Sequence, residues 1–227
     1  MWDKLTDISV VESIQDGDTV MVGGFGVPGT PFTLLEALAD HGAKDLTIIK
    51  NDANEQDMGI DWLLNNGQVK KLIVSHIGLN RQAVKLMNEG AIKVEFVPQG
   101  ILAERIRAAG AGLLGVMTDI GIGTDYVNNK QVMNIDGQEA VFEPAIQADF
   151  ALVHGAQGDH MGNLAYVGTA QNFNPLMAMA AKVTIAEIEQ LVEAGDLAPS
   201  SIHTPSPFVD KVYVMPSITE VYDVVKR

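Results

Sequence analysis

Asp16-Gly17-Asp18-Thr19-Val20-Met21-Val22-Gly23-Gly24-Phe25-Gly26-Val27-Pro28-Gly29-Thr30-Pro31 contains the transition that decides the fold. Asp18 to Gly23 reads as a short buried strand, because an apolar run of this length between turn residues is too short for a helix. A glycine loop follows from Gly23 to Gly29. Thr30 is then expected to cap a helix, with Pro31 at its first position where a missing N–H costs nothing. Leu34, Leu35 and Leu38 form the apolar face of that helix, and His41-Gly42 ends it.

The same strand–helix alternation recurs downstream. Leu46 to Ile49, Leu72 to Val74 and Ile92 to Val97 are β-like. Ile60 to Leu64, Arg81 to Asn88 and Ile101 to Ala109 are helical. Such alternation predicts an α/β fold whose mostly parallel sheet is covered on both faces. Gly110 to Gly123 holds five glycines and reads as a loop packed closely against a neighbour. Gln131 to Ile135, Glu139 to Phe142 and Phe150 to His154 read as short strands, the first two joined by an Asp136-Gly137 turn. A helix starts at Asn174-Pro175, and Val183 to Ile188 and Lys211 to Met215 are late strands. With 227 residues and no linker-like stretch, a single domain over 1–227 is expected.

Composition narrows the function classes. The formal charge is −14, from 29 acidic and 15 basic residues. A field of that sign repels nucleic acids and anionic membrane surfaces. The chain has no cysteine, which excludes disulfides and thiolate chemistry. Charged residues among the first seven positions do not suit a signal peptide, and apolar runs are far shorter than the roughly 20 residues that cross a bilayer. A cytoplasmic protein is expected.

Several local patterns could carry chemistry. The loop Gly23, Gly24, Phe25, Gly26, Val27, Pro28, Gly29 lies between a strand and a helix, where backbone N–H groups favour an anion. Gly24, Gly26 and Gly29 also satisfy G-x-G-x-x-G, and Asp52 stands where a ribose-binding acid would in a dinucleotide site. Pro28 and the late helix start weaken that match, so ligand contact, dinucleotide binding and a structural turn all remain open. Gln99, in Val97-Pro98-Gln99-Gly100, sits at the carboxyl end of a strand, where open α/β sheets bind ligands. Its amide suits an oxyanion, or else it satisfies the backbone of the next helix. Glu104 and Arg107, three apart, read as a solvated ion pair. Ser75 and His76 cannot share a site if their strand continues, since neighbouring strand residues face opposite ways. His154, Asp159 and His160 lack further ligands at a familiar spacing, so no metal is expected. Met177 and Met179 read as core fillers.

Taken in order, these pieces resemble the alpha-type subunit of family I CoA transferases. The resemblance rests on Asp16 to Phe25 running into Gly29-Thr30-Pro31, then Val97 to Gly100 with Leu102 to Arg107. It continues through Gly162-Asn163-Leu164 and Asn172 to Ala181, and closes at His203-Thr204-Pro205. It covers residues 4 to 215. It implies a three-layer α/β/α fold and transfer of CoA from a short-chain acyl-CoA or 3-oxoacyl-CoA to an acceptor carboxylate. A partner beta-type subunit, in an α2β2 assembly, would supply the nucleophilic glutamate, so no catalytic nucleophile is expected in this chain. Gln99 would line the acyl site, and Gly23 to Gly29 would contact CoA. CoA thioester is then a substrate, with no tightly bound cofactor. The acidic chain would have to hold its phosphates by backbone donors or through the partner. Val167, Gln171 and the segment Gly155 to Asp159 lack basic residues common in the family, and Ala109 replaces a common glycine. This favours acetate, butyrate or acetoacetate over a dicarboxylic substrate. The competing readings are a dinucleotide-dependent oxidoreductase, or a sensor that binds a sugar phosphate or acyl-CoA without catalysis.

Overall fold

The computed structural model describes residues 3–217. Met1, Trp2 and residues 218–227, which the single-domain expectation also spans, lie outside them. The chain runs β1 (Leu5–Thr6), β2 (Thr19–Val22), α1 (Phe32–His41), β3 (Leu46–Ile49), α2 (Ile60–Asn65), β4 (Val69–Val74), α3 (Arg81–Asn88), β5 (Lys93–Phe96) and α4 (Gln99–Gly110). It continues β6 (Gly115–Thr118), β7 (Val132–Ile135), β8 (Gln138–Pro144), β9 (Ala148–Asp159), β10 (Leu164–Ala165), α5 (Asn174–Met179), β11 (Ala181–Val192) and β12 (Lys211–Val214).

The main sheet has the order β1-β12-β11-β9-β2-β3-β4-β5, all parallel, with the short β10 antiparallel to β9. Strand alternation sorts its side chains into two cores. Val20, Val22, Ile48, Leu72 and Val74 pack with Leu34, Leu35 and Leu38 of α1, Ile60 and Leu63 of α2, and Ala83 of α3. Met21, Ile49, Ile73, Ala151 and Val153 face the other way, onto Ile101, Leu102 and Ile106 of α4 and Met177 and Ala178 of α5. The result is the expected three-layer α/β/α fold. Because both faces are covered, the central strands read as continuous apolar runs.

Three expectations need correction. Gly110 to Gly123 is not all loop: β6 lies inside it and pairs antiparallel with β8, which also pairs with β7, in a separate three-stranded sheet. Gly115 is needed there, because a Cβ would lie 2.3 Å from the Glu143 carbonyl. β9 and β11 each run 12 residues, well beyond Phe150 to His154 and Val183 to Ile188. Gly155 and Gly158 hid that extension, since glycine scores poorly as a strand former. Thr30 does not cap α1; its hydroxyl donates to the Gly26 carbonyl at 2.7 Å instead. The Asp136-Gly137 turn is as read, with positive φ at both residues (50° and 88°) closing the β7–β8 hairpin.

One buried polar residue fastens the first-face helices to the sheet. Asn80 caps α3 by accepting from the Ala83 N–H at 2.8 Å. Its amide donates to the Ala53 carbonyl and to Asp61 Oδ1, each at 3.0 Å. Asn80→Ala is expected to lower unfolding free energy by about 2–4 kcal/mol, the loss of a cap plus two stranded buried acceptors. Urea denaturation checks this; a loss within about 0.5 kcal/mol, the range of an ordinary surface change, would show the network is idle.

Candidate active site

All the parallel strands end on one edge of the sheet, and the glycine loop lies there between β2 and α1. Its shape is imposed from below. Asn174, fully buried at the start of α5, donates to the Gly29 carbonyl at 3.0 Å and the Ala170 carbonyl at 2.8 Å, and accepts from the His154 N–H at 3.2 Å. A Cβ on Gly23 would lie 1.8 Å from Asn174 Oδ1, and one on Gly29 would lie 2.4 Å from the Ala170 carbonyl. On Gly24 it would lie 2.4 Å from Thr30 Oγ1. Gly26, with φ of 61°, has open space where a Cβ would go. Three glycines are therefore demanded by close approach, and the fourth by its left-handed backbone. Phe25 is about half exposed and stacks on Phe173 at 6.4 Å, while Asn172 donates to the Pro28 carbonyl at 2.9 Å.

The segment after β3 forms the second support. Asn51 Oδ1 accepts from the Gly26 N–H at 3.1 Å, and Asn54 Nδ2 donates to the Gly26 carbonyl at 2.8 Å. Lys50, entirely buried, places its ammonium 3.2 Å from that same carbonyl and 3.5 Å from Asp52. Burial drives the Lys50 ammonium down to about 8, with Asp52 pulling the other way. Sequence reading missed Lys50, Asn51 and Asn54. The available signal was four polar residues, Lys50, Asn51, Asp52 and Asn54, directly after a buried strand end.

A third support is ionic. His154 on β9 lies with Nδ1 2.9 Å from Glu187 and Nε2 3.2 Å from Glu189, both on β11. The other Glu187 oxygen accepts from the Leu34 N–H at 2.8 Å, in the first turn of α1. A carboxylate from the sheet thus performs the capping expected of Thr30, and it suits the positive end of the helix. Burial alone would lower the His154 imidazole, but its hydrogen bonds and charge pairing with the two glutamates raise it to about 9.

The other predicted residues are placed as follows. Gln99 begins α4, half buried, and its side chain has no hydrogen-bond partner among the described residues. It shares the carboxyl edge with the glycine loop, but β3 and β4 stand between, so strand spacing separates them by about 14 Å. Ser75 and His76 do meet: β4 stops at Val74, and Ser75 Oγ lies 3.1 Å from His76 Nδ1. The serine proton is already given to the Asn51 carbonyl at 2.6 Å, so the pair is not a nucleophile with its base. Asp159 accepts from the Met161 and Asn163 N–H groups and so builds a turn. Asp52 is spent on Lys50 inside the protein, which removes the ribose partner a dinucleotide site needs. Glu104 pairs with Arg107 at 2.7 Å on an exposed face, as read from their spacing.

Residues 6–215 match the family described as Coenzyme A transferase. The chain belongs to the coenzyme A transferase family. It is 48% identical to the alpha subunit of a probable coenzyme A transferase of Bacillus subtilis (strain 168), over 90% of each chain. It is 46% identical to the alpha subunit of the acetate CoA-transferase of Escherichia coli (strain K12), covering 88% of this chain and 91% of that one. An acyl-CoA transferase from E. coli O157:H7, solved as a thioester complex with CoA, has a TM-score of 0.86 at 25% identity, over 97% of this chain and 48% of its own. This coenzyme A transferase chain therefore spans about half the length of that solved protein. Like its family, it is an enzyme of the CoA-transferase class, and CoA thioesters are what such enzymes use. Among the described residues no helix is long and apolar enough to cross a membrane.

Two outcomes test this architecture. Gly23→Ala is expected to abolish soluble folding or cost more than about 3 kcal/mol by overpacking, while Gly26→Ala folds with a loss of about 1 kcal/mol from its positive φ. Thermal melts of the two variants separate these cases. Stability should also carry the signature of His154. Its folded value of about 9 exceeds the ordinary 6.5, so its contribution is complete below pH 6.5 and lost as pH climbs to 9, up to about 3 kcal/mol. The depressed Lys50 acts with opposite sign above pH 8, so the clean window is pH 6.5 to 8. Denaturation across that window should show declining stability in the wild type and a flatter profile in His154→Gln.

Proposed function

We propose that this chain is the alpha-type subunit of a cytoplasmic CoA transferase. It acts as one domain with a beta-type subunit, in an α2β2 assembly. The assembly moves CoA from a short-chain acyl-CoA or 3-oxoacyl-CoA to an acceptor carboxylate. The observation that carries the reading is the length relation. The chain matches nearly all of relatives named as alpha subunits, yet only half of a solved chain that holds the CoA thioester. Half an active unit needs its other half.

The carboxylates around the loop support a nucleophile from elsewhere. Asp52 is tied to Lys50, Glu187 and Glu189 to His154, Asp159 to its turn and Glu104 to Arg107. Glu55 stands exposed beyond the clamp, with nothing described there to orient it. In this reading a partner glutamate attacks the thioester carbonyl, forming an acyl–enzyme anhydride and releasing the CoA thiolate. The thiolate attacks the glutamyl carbonyl of the anhydride, expels the donor carboxylate and leaves a glutamyl-CoA thioester. The acceptor carboxylate then runs the same steps in reverse, leaving as its CoA thioester and restoring the glutamate. Gly23, Gly24, Phe25, Gly26, Val27, Pro28 and Gly29 contact CoA, with Phe25 as an exposed apolar face and the backbone as donor. Gln99, its amide unspent, offers an N–H to the acyl oxygen without adding charge. The uncharged Val167 and Gln171 favour monocarboxylic acyl groups over succinyl.

The isolated chain should show no acyl-CoA/carboxylate exchange, and co-expression with a beta-type chain should restore it. Exchange by the chain alone would remove the split-site reading. In the assembled enzyme Gln99→Ala should reduce kcat about 100-fold, the lower end of the usual loss for one oxyanion donor. Steady-state kinetics with acetyl-CoA and acetoacetate would decide, and an unchanged kcat would take Gln99 out of the site.

A further inference from the structure

The Gly26 carbonyl receives three donors from beneath: Thr30 Oγ1 at 2.7 Å, Asn54 Nδ2 at 2.8 Å and Lys50 Nζ at 3.2 Å. No cis peptide bond occurs among the described residues, so the Val27 N–H points opposite to that carbonyl. It therefore faces away from the buried clamp, and no described residue accepts from it. The preceding peptide is fixed too, since the Gly26 N–H is held by Asn51.

A lysine is an unexpected residue for a purely structural clamp. Its side chain is wholly buried, the nearby carboxylate sits at 3.5 Å rather than in close contact, and Asn51 Nδ2 and Asp52 Oδ1 remain without hydrogen-bond partners. Thr30 and Asn54 already satisfy both lone pairs of the carbonyl. What the ammonium adds is charge, together with a second hydrogen bond, to Asn51 Oδ1 at 3.2 Å, the oxygen that also holds the Gly26 N–H. A cation at the carbonyl end of a peptide polarises it and strengthens the N–H at the other end as a donor.

We propose that Lys50 is a positioning residue that holds and polarises the Gly26–Val27 peptide, so that the Val27 N–H binds a negatively charged oxygen of the CoA thioester substrate. The ligand half of this inference rests on the loop being the CoA-contacting element; the Lys50–Val27 coupling does not. Lys50 is depressed to about 8, so the coupling weakens as pH rises through that value. The loop 23–31 has no ionisable side chain. The charged groups connected to it are Asp52 on the same segment and His76 through Ser75, which donates to the Asn51 carbonyl. His154, paired with Glu187 and Glu189, is connected through its backbone N–H, held by the Asn174 that anchors Gly29.

The test combines a spectrum with kinetics. In the ¹⁵N-labelled wild type, the Val27 amide should titrate with a midpoint of about 8. The titration should vanish in Lys50→Met, whereas one caused by His76 or His154 would persist and overturn the coupling, as would a Val27 signal that does not move in the wild type. In the assembled enzyme, Lys50→Met should lower kcat/KM about tenfold at neutral pH, the scale of one weakened charge-assisted hydrogen bond. The wild type should lose a similar factor between about pH 7.5 and 9.5, as the ammonium deprotonates, and the variant should not. Lys50→Gln, which keeps a donor but no charge, should recover little. If Lys50→Met folds poorly, Lys50→Met with Asp52→Asn removes both buried charges together. Comparing acyl-CoA with acyl-pantetheine locates the oxygen. A defect that persists, in kcat, places it on the thioester, and a defect confined to KM that disappears places it on the phosphates. Variants that melt earlier but keep wild-type kinetics and pH profile would refute the inference. A wild-type assembly with a titrating Val27 but no exchange and no CoA response would instead sink the functional reading and, with it, the ligand half.

Discussion

The arrangement depends on a single constraint: a glycine-rich backbone must pass directly over buried polar groups, and every carbonyl it turns downward must find a donor. Asn174 meets Gly29, and Lys50, Asn54 and Thr30 meet Gly26. A loop at a strand end is ordinarily the most mobile part of an α/β domain. Here it is fastened by side chains from two directions, the segment after β3 and the start of α5. Such a loop presents its outward N–H groups without having to be ordered by ligand, which saves the conformational cost of binding.

Electrostatics follow from the same geometry. A chain with a charge of −14 keeps two of its few cationic groups inside, under the one region read as contacting an anion. Each is matched by carboxylates: Lys50 by Asp52, His154 by Glu187 and Glu189. The low-dielectric surroundings make these pairings count for more than surface ion pairs such as Glu104–Arg107. The acidic exterior and the locally cationic floor are compatible because the former acts at long range and the latter over a few ångströms.

The layering was legible in the sequence because apolar runs and helix faces alternate at regular intervals, and the elements that pack both cores fall where those runs predict. The motif Gly23 to Gly29 was equally legible as a strand–loop–helix junction. What could not be read was which partner each polar group would choose. Thr30 has the chemistry of an N-cap but faces a closer acceptor, Gly26, while Glu187, 153 residues from Leu34, takes over the helix. Asp52 has the spacing of a ribose ligand and is instead drawn inward by a lysine two residues before it. Ser75 and His76 meet only because β4 stops one residue before them, a boundary that propensity does not fix. Long-range pairing decided all of these, and local pattern carries no record of it.

The contact between Gly23 and Asn174 also bears on how this surface can diverge. A methyl at position 23 would overlap the Asn174 amide at 1.8 Å, yet that amide anchors Gly29 and the His154 backbone. Neither position can vary alone: enlarging one requires shrinking the other, and shrinking Asn174 releases the loop. Two sites 151 positions apart in the chain are therefore one mutational unit, reachable only by a double change that passes through a poorly folded intermediate. At Gly26 an added Cβ would meet no neighbour, so a single substitution there meets only the strain of its φ of 61° and no second position has to change with it.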